Sequence, residues 1–239
     1  MSDKRSIGLS VLPAPGEVLR ENHSRIVEVE KGILARNDEL AASLRDRFAA
    51  HGLRVLNLLS SPGSGKTTLL SRTLSDLRER VRAAVIVGDL ETENDARRLQ
   101  EAGVMSVQIT TGGVCHLEAA MVARAADALD LAALDLLVIE NVGNLVCPAA
   151  YDLGESERVV LLSVTEGEDK PLKYPRIFKS ASLAIITKVD IADAVGFDRA
   201  AAMRNIRLVS PEARILEVSA RTGFGLEACY EHLTGRGSS

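Results

Sequence analysis

Tryptophan is absent from this chain of 239 residues, and three tyrosines and four phenylalanines bring the aromatic share to only 3%. Positive charge is not in excess either, the formal net charge being -4. The stacking surfaces and the basic field by which proteins grip nucleic acid are therefore both missing, and no nucleic-acid partner is expected. Long apolar runs are lacking too: none approaches the roughly 20 residues that span a bilayer. The first residues, MSDKRSIGLSVLPAPGE, have no uninterrupted apolar stretch of the kind a secretory signal carries. No membrane association and a cytoplasmic location follow as expectations. Cysteine is scarce. Cys115, Cys147 and Cys229 cannot all pair within one chain, and a reducing compartment disfavours structural disulfides, which leaves packing, metal binding or redox chemistry.

What is present is enough apolar material, 46% of the residues, for a large core. Residues 1–16 hold Pro13, Pro15 and Gly16 without periodicity and read as a mobile arm. Over 17–50 apolar residues recur at helical spacing, Leu19, Ile26, Ile33 and Leu34, then Leu40, Leu44 and Phe48, predicting two amphipathic helices broken near 36–38 and stopped at Gly52. From 53 to 239 short β-branched runs alternate with helical segments. Strands are predicted at 55–59, 83–87, 136–139, 159–164, 183–186 and 215–218. Such alternation gives an α/β fold, a doubly wound, mostly parallel sheet flanked by helices, whose ligands sit at the carboxyl ends of the strands.

The first strand runs into Ser60-Ser61-Pro62-Gly63-Ser64-Gly65-Lys66-Thr67-Thr68 and a helix beginning near Lys66. Gly63, Ser64 and Gly65 let backbone N–H groups turn toward phosphate oxygens, Lys66 reaches the β and γ phosphates, Thr67 offers a hydroxyl to magnesium, and Thr68 continues the turn. The strict phosphate-loop pattern has glycine where Ser60 stands.

Two later strands end in Thr187-Lys188-Val189-Asp190 and in Ser219-Ala220-Arg221-Thr222-Gly223. Guanine presents N1–H and an N2 amino group that one carboxylate, Asp190, accepts together, an edge adenine lacks. The Lys188 stem covers the ring and the Ala220 N–H, beside Ser219, meets O6. GTP and GDP are thus expected over ATP. The usual asparagine of the first loop is Thr187 here. Two further strands end in carboxylates, Asp89 and Glu140, the candidates for holding magnesium with Thr67. Lys66, Thr67 and Asp89 form the expected hydrolytic set. Glu91-Thr92-Glu93-Asn94-Asp95 has the polarity of a switch loop, no glutamine stands where a water-orienting residue is sought, and slow intrinsic hydrolysis is expected. Gly112-Gly113-Val114-Cys115-His116-Leu117 is predicted to open a helix and Cys147-Pro148 to follow the Glu140 strand. Cys115, His116 and Cys147 offer three corners of a zinc or nickel site, or alternatively ordinary packing, and Cys229 is assigned to packing in a terminal helix.

Together with Thr165-Glu166-Gly167-Glu168-Asp169-Lys170-Pro171, the runs Ser60 to Thr68, Thr110-Thr111 to Leu117 and Glu140-Asn141-Val142-Gly143-Asn144-Leu145-Val146-Cys147-Pro148 resemble the hydrogenase nickel-incorporation GTPases of the HypB family. The resemblance implies a metallochaperone that couples GTP hydrolysis to nickel delivery into the [NiFe]-hydrogenase large subunit precursor, with a HypA-type nickel chaperone as partner. It also implies a homodimer favoured by GTP, with Cys115, His116 and Cys147 binding Ni2+ or Zn2+. The amino-terminal Cys-x-x-Cys-Gly-Cys or histidine-rich tract of some members does not occur here. Urease-type relatives would show Cys-Pro-His, a small-molecule kinase would prefer ATP, and a plain switch would hold no metal.

Overall fold

The computed structural model describes residues 15–90 and 94–235, with side chains from Lys31. The chain divides into a unit ending at Arg36 and a second beginning at Asn37. Of the arm predicted over 1–16, all but Pro15 and Gly16 lies outside the described residues. Those two open α1 (Pro15–Ala50).

Helix α1 is continuous, where a break near 36–38 was predicted. Asparagine weakens helices when its side chain competes for the local backbone. Asn37 instead spends its amide across the fold: its Nδ2 donates to the Asp152 carbonyl and its Oδ1 accepts from the Ala119 N–H, each at 2.8 Å. Within the second unit the helix buries Asn37, Ala41, Leu44 and Phe48, while Leu40 stays 38% exposed. Gly52, at φ 65°, ends it. Chain packs so tightly on this helix at Gly154 that an added Cβ would lie 2.7 Å from the Leu44 Cβ and 2.9 Å from the Ala41 carbonyl.

The sheet has seven strands, all paired in parallel: β1 (Arg54–Ser60), β2 (Ala83–Asp89), β3 (Met105–Thr110), β4 (Leu136–Glu140), β5 (Glu157–Ser163), β6 (Leu183–Thr187) and β7 (Arg214–Val218), in the order β3-β2-β4-β1-β5-β6-β7. The helices are α2 (Lys66–Leu77), α3 (Asn94–Glu101), α4 (Ala119–Ala126), α5 (Lys170–Lys173), α6 (Pro175–Lys179), α7 (Arg199–Val209) and α8 (Leu226–Leu233). Strand residues alternate between two buried faces. Leu56, Leu58, Val85, Val138 and Leu161 pack with α2, α3 and α8; Val55, Ile86 and Ile139 pack with α1 and α4; Leu59, Val160, Leu162 and Ile186 pack with α6 and α7. Both faces covered is the condition under which all-parallel sheets occur. Six of these strands match the predicted runs. The seventh, β3, is an edge strand whose Ser106, Gln108 and Thr110 interrupt the apolar signal and whose Met105 is 56% exposed. Among the described residues no helix is long and apolar enough to cross a membrane.

The turn from β7 into α8 depends on Gly225. It has φ 71°, and a Cβ there would fall 1.9 Å from the Glu217 carbonyl oxygen. Gly196, at φ 66°, has nothing within 4 Å of the same position. Gly196→Ala should therefore cost about 1–2 kcal/mol, the left-handed penalty alone, and Gly225→Ala at least about 3 kcal/mol once backbone must also move. Urea unfolding midpoints of the two variants check the difference.

Candidate functional site

The parallel pairing of all the strands puts the loops after β1, β2, β4, β6 and β7 at one end of the sheet. In the first of these the buried Lys66 ammonium donates to the Ser60 Oγ at 2.8 Å, and the Ser64 hydroxyl donates to the same oxygen at 2.5 Å. Ser60, the departure from the strict pattern, thus holds the lysine within the loop. Thr67 Oγ1 donates to Glu140 Oε1 at 2.6 Å, and Glu140 Oε2 is buried with no hydrogen-bond partner among the described residues. Burial pushes the Glu140 carboxyl up to about 7 against the opposing effects of Thr67 and the Lys66 charge. Burial likewise pulls Lys66 down, with Glu140 chief among the groups resisting. A buried carboxylate oxygen left without a donor beside a hydroxyl fits a hard divalent cation.

A cavity of about 400 Å³ joins these groups to Gly63, Ser64, Gly65, Thr68 and Asp89. Arg98 and Asp95 also line it, and Arg98 Nη2 donates to the Thr68 hydroxyl at 3.0 Å. Residues 91–93 of the predicted switch loop lie outside the described residues, and Asn94 and Asp95 begin α3 rather than continuing that loop. Helix α3 is what carries Arg98 to the cavity, a role no motif had marked.

A neighbouring cavity of about 260 Å³ shares Ser64, Gly65, Thr68 and Lys188 with the first and adds Asp190, Ser219, Ala220 and Arg221. Thr187 Oγ1 donates to the Ser64 carbonyl at 2.7 Å, and Lys188 Nζ to the Gly63 carbonyl at 2.7 Å. The side chain at 187 therefore ties one loop to the other, which is a use a hydroxyl serves without the expected amide. Lys188 holds φ 60°, uncommon for a residue with a Cβ and a mark of a site where geometry overrides local preference. A hydrogen bond from Ser219, joined by Arg221, whose Nε donates at 3.0 Å, holds Asp190 below the usual carboxylate range.

Cys115, His116 and Cys147 come together with their ligand atoms within 4.8 Å of one another. The sulfurs of the two cysteines are 2.7 Å apart with both thiols free, and the Cys115 sulfur is 4.0 Å from His116 Nδ1. The Cys115 thiol beside it, then burial, push Cys147 up, so protons compete with a cation at that sulfur, while burial pulls His116 down and favours the neutral imidazole that a metal needs. The His116 ring stacks on Tyr151 at 3.9 Å between centroids and 22° between planes, and its Nε2 is 3.6 Å from Glu118 Oε1. Cys115 and His116 do not open a helix as predicted. Helix α4 starts at Ala119, whose N–H Asn37 fixes, and the pair stands on the loop before it. That loop is anchored by Leu117, fully buried against Gly88 of β2, where a Cβ would meet the leucine at 2.8 Å. Cys147 starts a short 3-10 turn, Cys147–Ala150. Asn144, within the run from Glu140 to Pro148 but given no role by its spacing, donates from Nδ2 to the Cys115 carbonyl at 3.4 Å and accepts from the Val146 N–H at 2.8 Å. Cys229 is buried in α8 and burial pushes its thiol up to about 11, in keeping with packing.

Glu140 gives the site a pH signature. Its folded value of about 7 exceeds the ordinary 4.5, so between those values the native protein keeps a proton the unfolded chain has released. Its contribution to stability consequently falls as pH rises from 4.5 to 7. Wild type should lose melting temperature relative to Glu140→Gln over that range without nucleotide or divalent cation, and magnesium with nucleotide should shrink the loss; calorimetric melts across the range test it.

Residues 54–217 match the family described as CobW/HypB/UreG, nucleotide-binding domain. The hydrogenase maturation factor HypB of Rhizobium leguminosarum bv. viciae is 50% identical over 228 residues, 95% of this chain and 75% of the relative. That of Escherichia coli strain K12 is 51% identical over 214 residues, 90% and 72% of the two chains. Among solved structures, HypB from Helicobacter pylori in complex with nickel superposes with a TM-score of 0.80 at 44% identity, covering 84% of this chain and 94% of that one. With half its sequence shared with HypB proteins over nearly its whole length, and with their fold, this chain belongs to the HypB hydrogenase maturation factors of the CobW/HypB/UreG family.

Proposed function

We propose that this protein is a GTP-hydrolysing metallochaperone that delivers nickel to the [NiFe]-hydrogenase large subunit precursor. The observation that carries the proposal is the contact between Leu117, next to Cys115 and His116, and Gly88, next to Asp89. It supports the reading because the loop bearing the two donors rests on a glycine that lines the nucleotide cavity.

In this scheme Gly63, Ser64, Gly65, Lys66, Thr67 and Thr68 cradle the phosphates, and Thr67, Asp89 and Glu140 hold Mg2+ directly or through water. Lys66 neutralises charge on the transferred phosphoryl group, to which a magnesium ion held there would add, Lys66, Thr67 and Asp89 being the hydrolytic set. Lys188, Asp190, Ser219 and Ala220 take guanine. Two thiols and an imidazole suit Ni2+ as cargo, and Zn2+ equally, and three donors leave an open position from which a metal can be passed on. Loss of the γ-phosphate alters the loops after β2 and β4 and with them the metal's surroundings. Val146, 62% exposed, and Val114, 37% exposed, flank the cysteines with apolar surface suited to a second copy, which supports a homodimer favoured by GTP. A HypA-type nickel chaperone and the large subunit precursor are the expected partners, in the cytoplasm.

Two experiments bear on it. Nickel and zinc are titrated into the protein with GDP or a non-hydrolysable GTP analogue, for wild type and Cys115→Ala, with mass followed by light scattering. Metal bound through Cys115 with an affinity or dimer population set by the nucleotide is the expected result, and metal binding indifferent to nucleotide would refute the coupling. For the base, Asp190→Asn should weaken GDP about 10- to 100-fold, since a hydrogen bond to a charged group is worth roughly 1.5–3 kcal/mol, and should favour xanthine nucleotides, whose C2 carbonyl accepts from an amide. Competition binding with GDP, XDP and ADP gives the order.

A further inference from the structure

Resting on the metal-delivery function proposed above, we infer that Asn144 is the positioning residue that sets both cysteines and makes their geometry depend on the phosphate loop. Three observations meet at this residue.

The first is that one side chain holds both metal-bearing loops. Its Nδ2 donates to the carbonyl of Cys115 at 3.4 Å, and its Oδ1 accepts from the Val146 N–H at 2.8 Å. Val146 is the residue before the 3-10 turn that Cys147 begins, so the bond at its N–H fixes how that turn leaves the loop and where Cys147 directs its sulfur. The two sulfurs belong to segments 32 residues apart in sequence, with 2.7 Å between them. Besides the contact of the thiols themselves, the amide of Asn144 is the hydrogen-bonding link between the Cys115 backbone and the Cys147 turn among the described residues.

The second is the neighbour. Gly143 lies so close to the phosphate loop that a Cβ on it would be 2.9 Å from the Pro62 Cα and 3.0 Å from the Pro62 nitrogen. Pro62 and Gly143 also line the phosphate cavity. A displacement of the loop at Pro62 has no free space to be absorbed at Gly143 and is passed to the next residue.

The third is what lies upstream. The Asn141 side chain donates to buried Asn57 in β1 at 3.2 Å and accepts from the Val142 N–H at 2.9 Å, fixing the start of the loop on the sheet. With that end held on the sheet, residues 143–147 form the stretch between this anchor and Cys147. An amide with one donor arm and one acceptor arm is suited to this place, because it engages a carbonyl and an N–H together.

The test titrates Ni2+ alone into the full chain, followed by thiolate-to-nickel charge-transfer absorbance, with GDP and with a non-hydrolysable GTP analogue. Wild type, Asn144→Ala and Asn144→Asp are compared, and GDP affinity serves as the control for folding. Asn144→Ala should weaken nickel about 10- to 100-fold, as loss of a group that orients metal ligands does. It should also shift the absorbance band and bring the ratio of nickel affinities in the two nucleotide states to near one, with GDP affinity unchanged. Asn144→Asp keeps the acceptor for Val146 N–H and loses the donor to Cys115, and should fall between; it also carries the test if the alanine variant fails the folding control. Nickel affinity, spectrum and nucleotide ratio all at wild-type values in Asn144→Ala would overturn the inference, as would weaker nickel with the full ratio retained, the mark of a merely structural role. Nickel absent from wild type would remove the proposed function itself, an outcome distinct from nickel bound equally by wild type and variant.

Discussion

The working end of this protein depends on the closeness with which two loops approach two strands' ends. Glycine at 88 gives Leu117 a seat on β2, and glycine at 143 lets the loop after β4 rest on Pro62. Any side chain at either position would displace a packed neighbour, and close-packed interiors transmit such displacements instead of absorbing them. The cavity around Lys66 and the cluster of Cys115, His116 and Cys147 thereby share a support. A nucleotide-dependent change at either contact has a short, mostly backbone path to the cysteines.

Electrostatics makes the two halves of the nucleotide site different in kind. The half around Lys66 is buried: Lys66 and Glu140 are each drawn toward neutrality by burial, and one Glu140 oxygen has no donor among the described residues. The half around Asp190 differs in that its carboxylate is held below the usual range by Ser219 and Arg221. A ligand bringing phosphate charge and a divalent cation would relieve the first half, while the second needs only to offer a rigid acceptor. In the proposed reading, the charged end of the ligand is stabilised by compensation and the uncharged end is selected by shape and donor pattern.

Much of this was legible in sequence where chemistry and backbone geometry coincide. Ser60 to Thr68 demanded a strand, a turn and a helix, and the six apolar runs marked the buried strands because both faces of a parallel sheet are covered. Edge strand β3 escaped since half of it faces water and its Ser106, Gln108 and Thr110 carry no apolar signal. The break predicted in α1 failed for a tertiary reason: Asn37 is a poor helix former only while its amide is free to compete, and Asp152 and Ala119 take it up. The same bond to Ala119 delays α4 and leaves Cys115 and His116 on a loop. Arg98, Tyr151 and Asn144 went unread because each acts through a neighbour distant in sequence, which no spacing reveals.

The strand order has a consequence for how such a chain comes to be folded. Parallel neighbours cannot be joined by a tight turn, so each pairing in β3-β2-β4-β1-β5-β6-β7 closes through a long crossover before it gains anything. The pockets draw on residues from Pro62 to Arg221, and the first assembled loop, after β1, has its partners on β4 and β6, synthesised much later. Neither cavity exists in a half-made chain. Ligand binding accordingly favours only the completed molecule, and a bound nucleotide acts as a late thermodynamic latch on a slowly forming sheet.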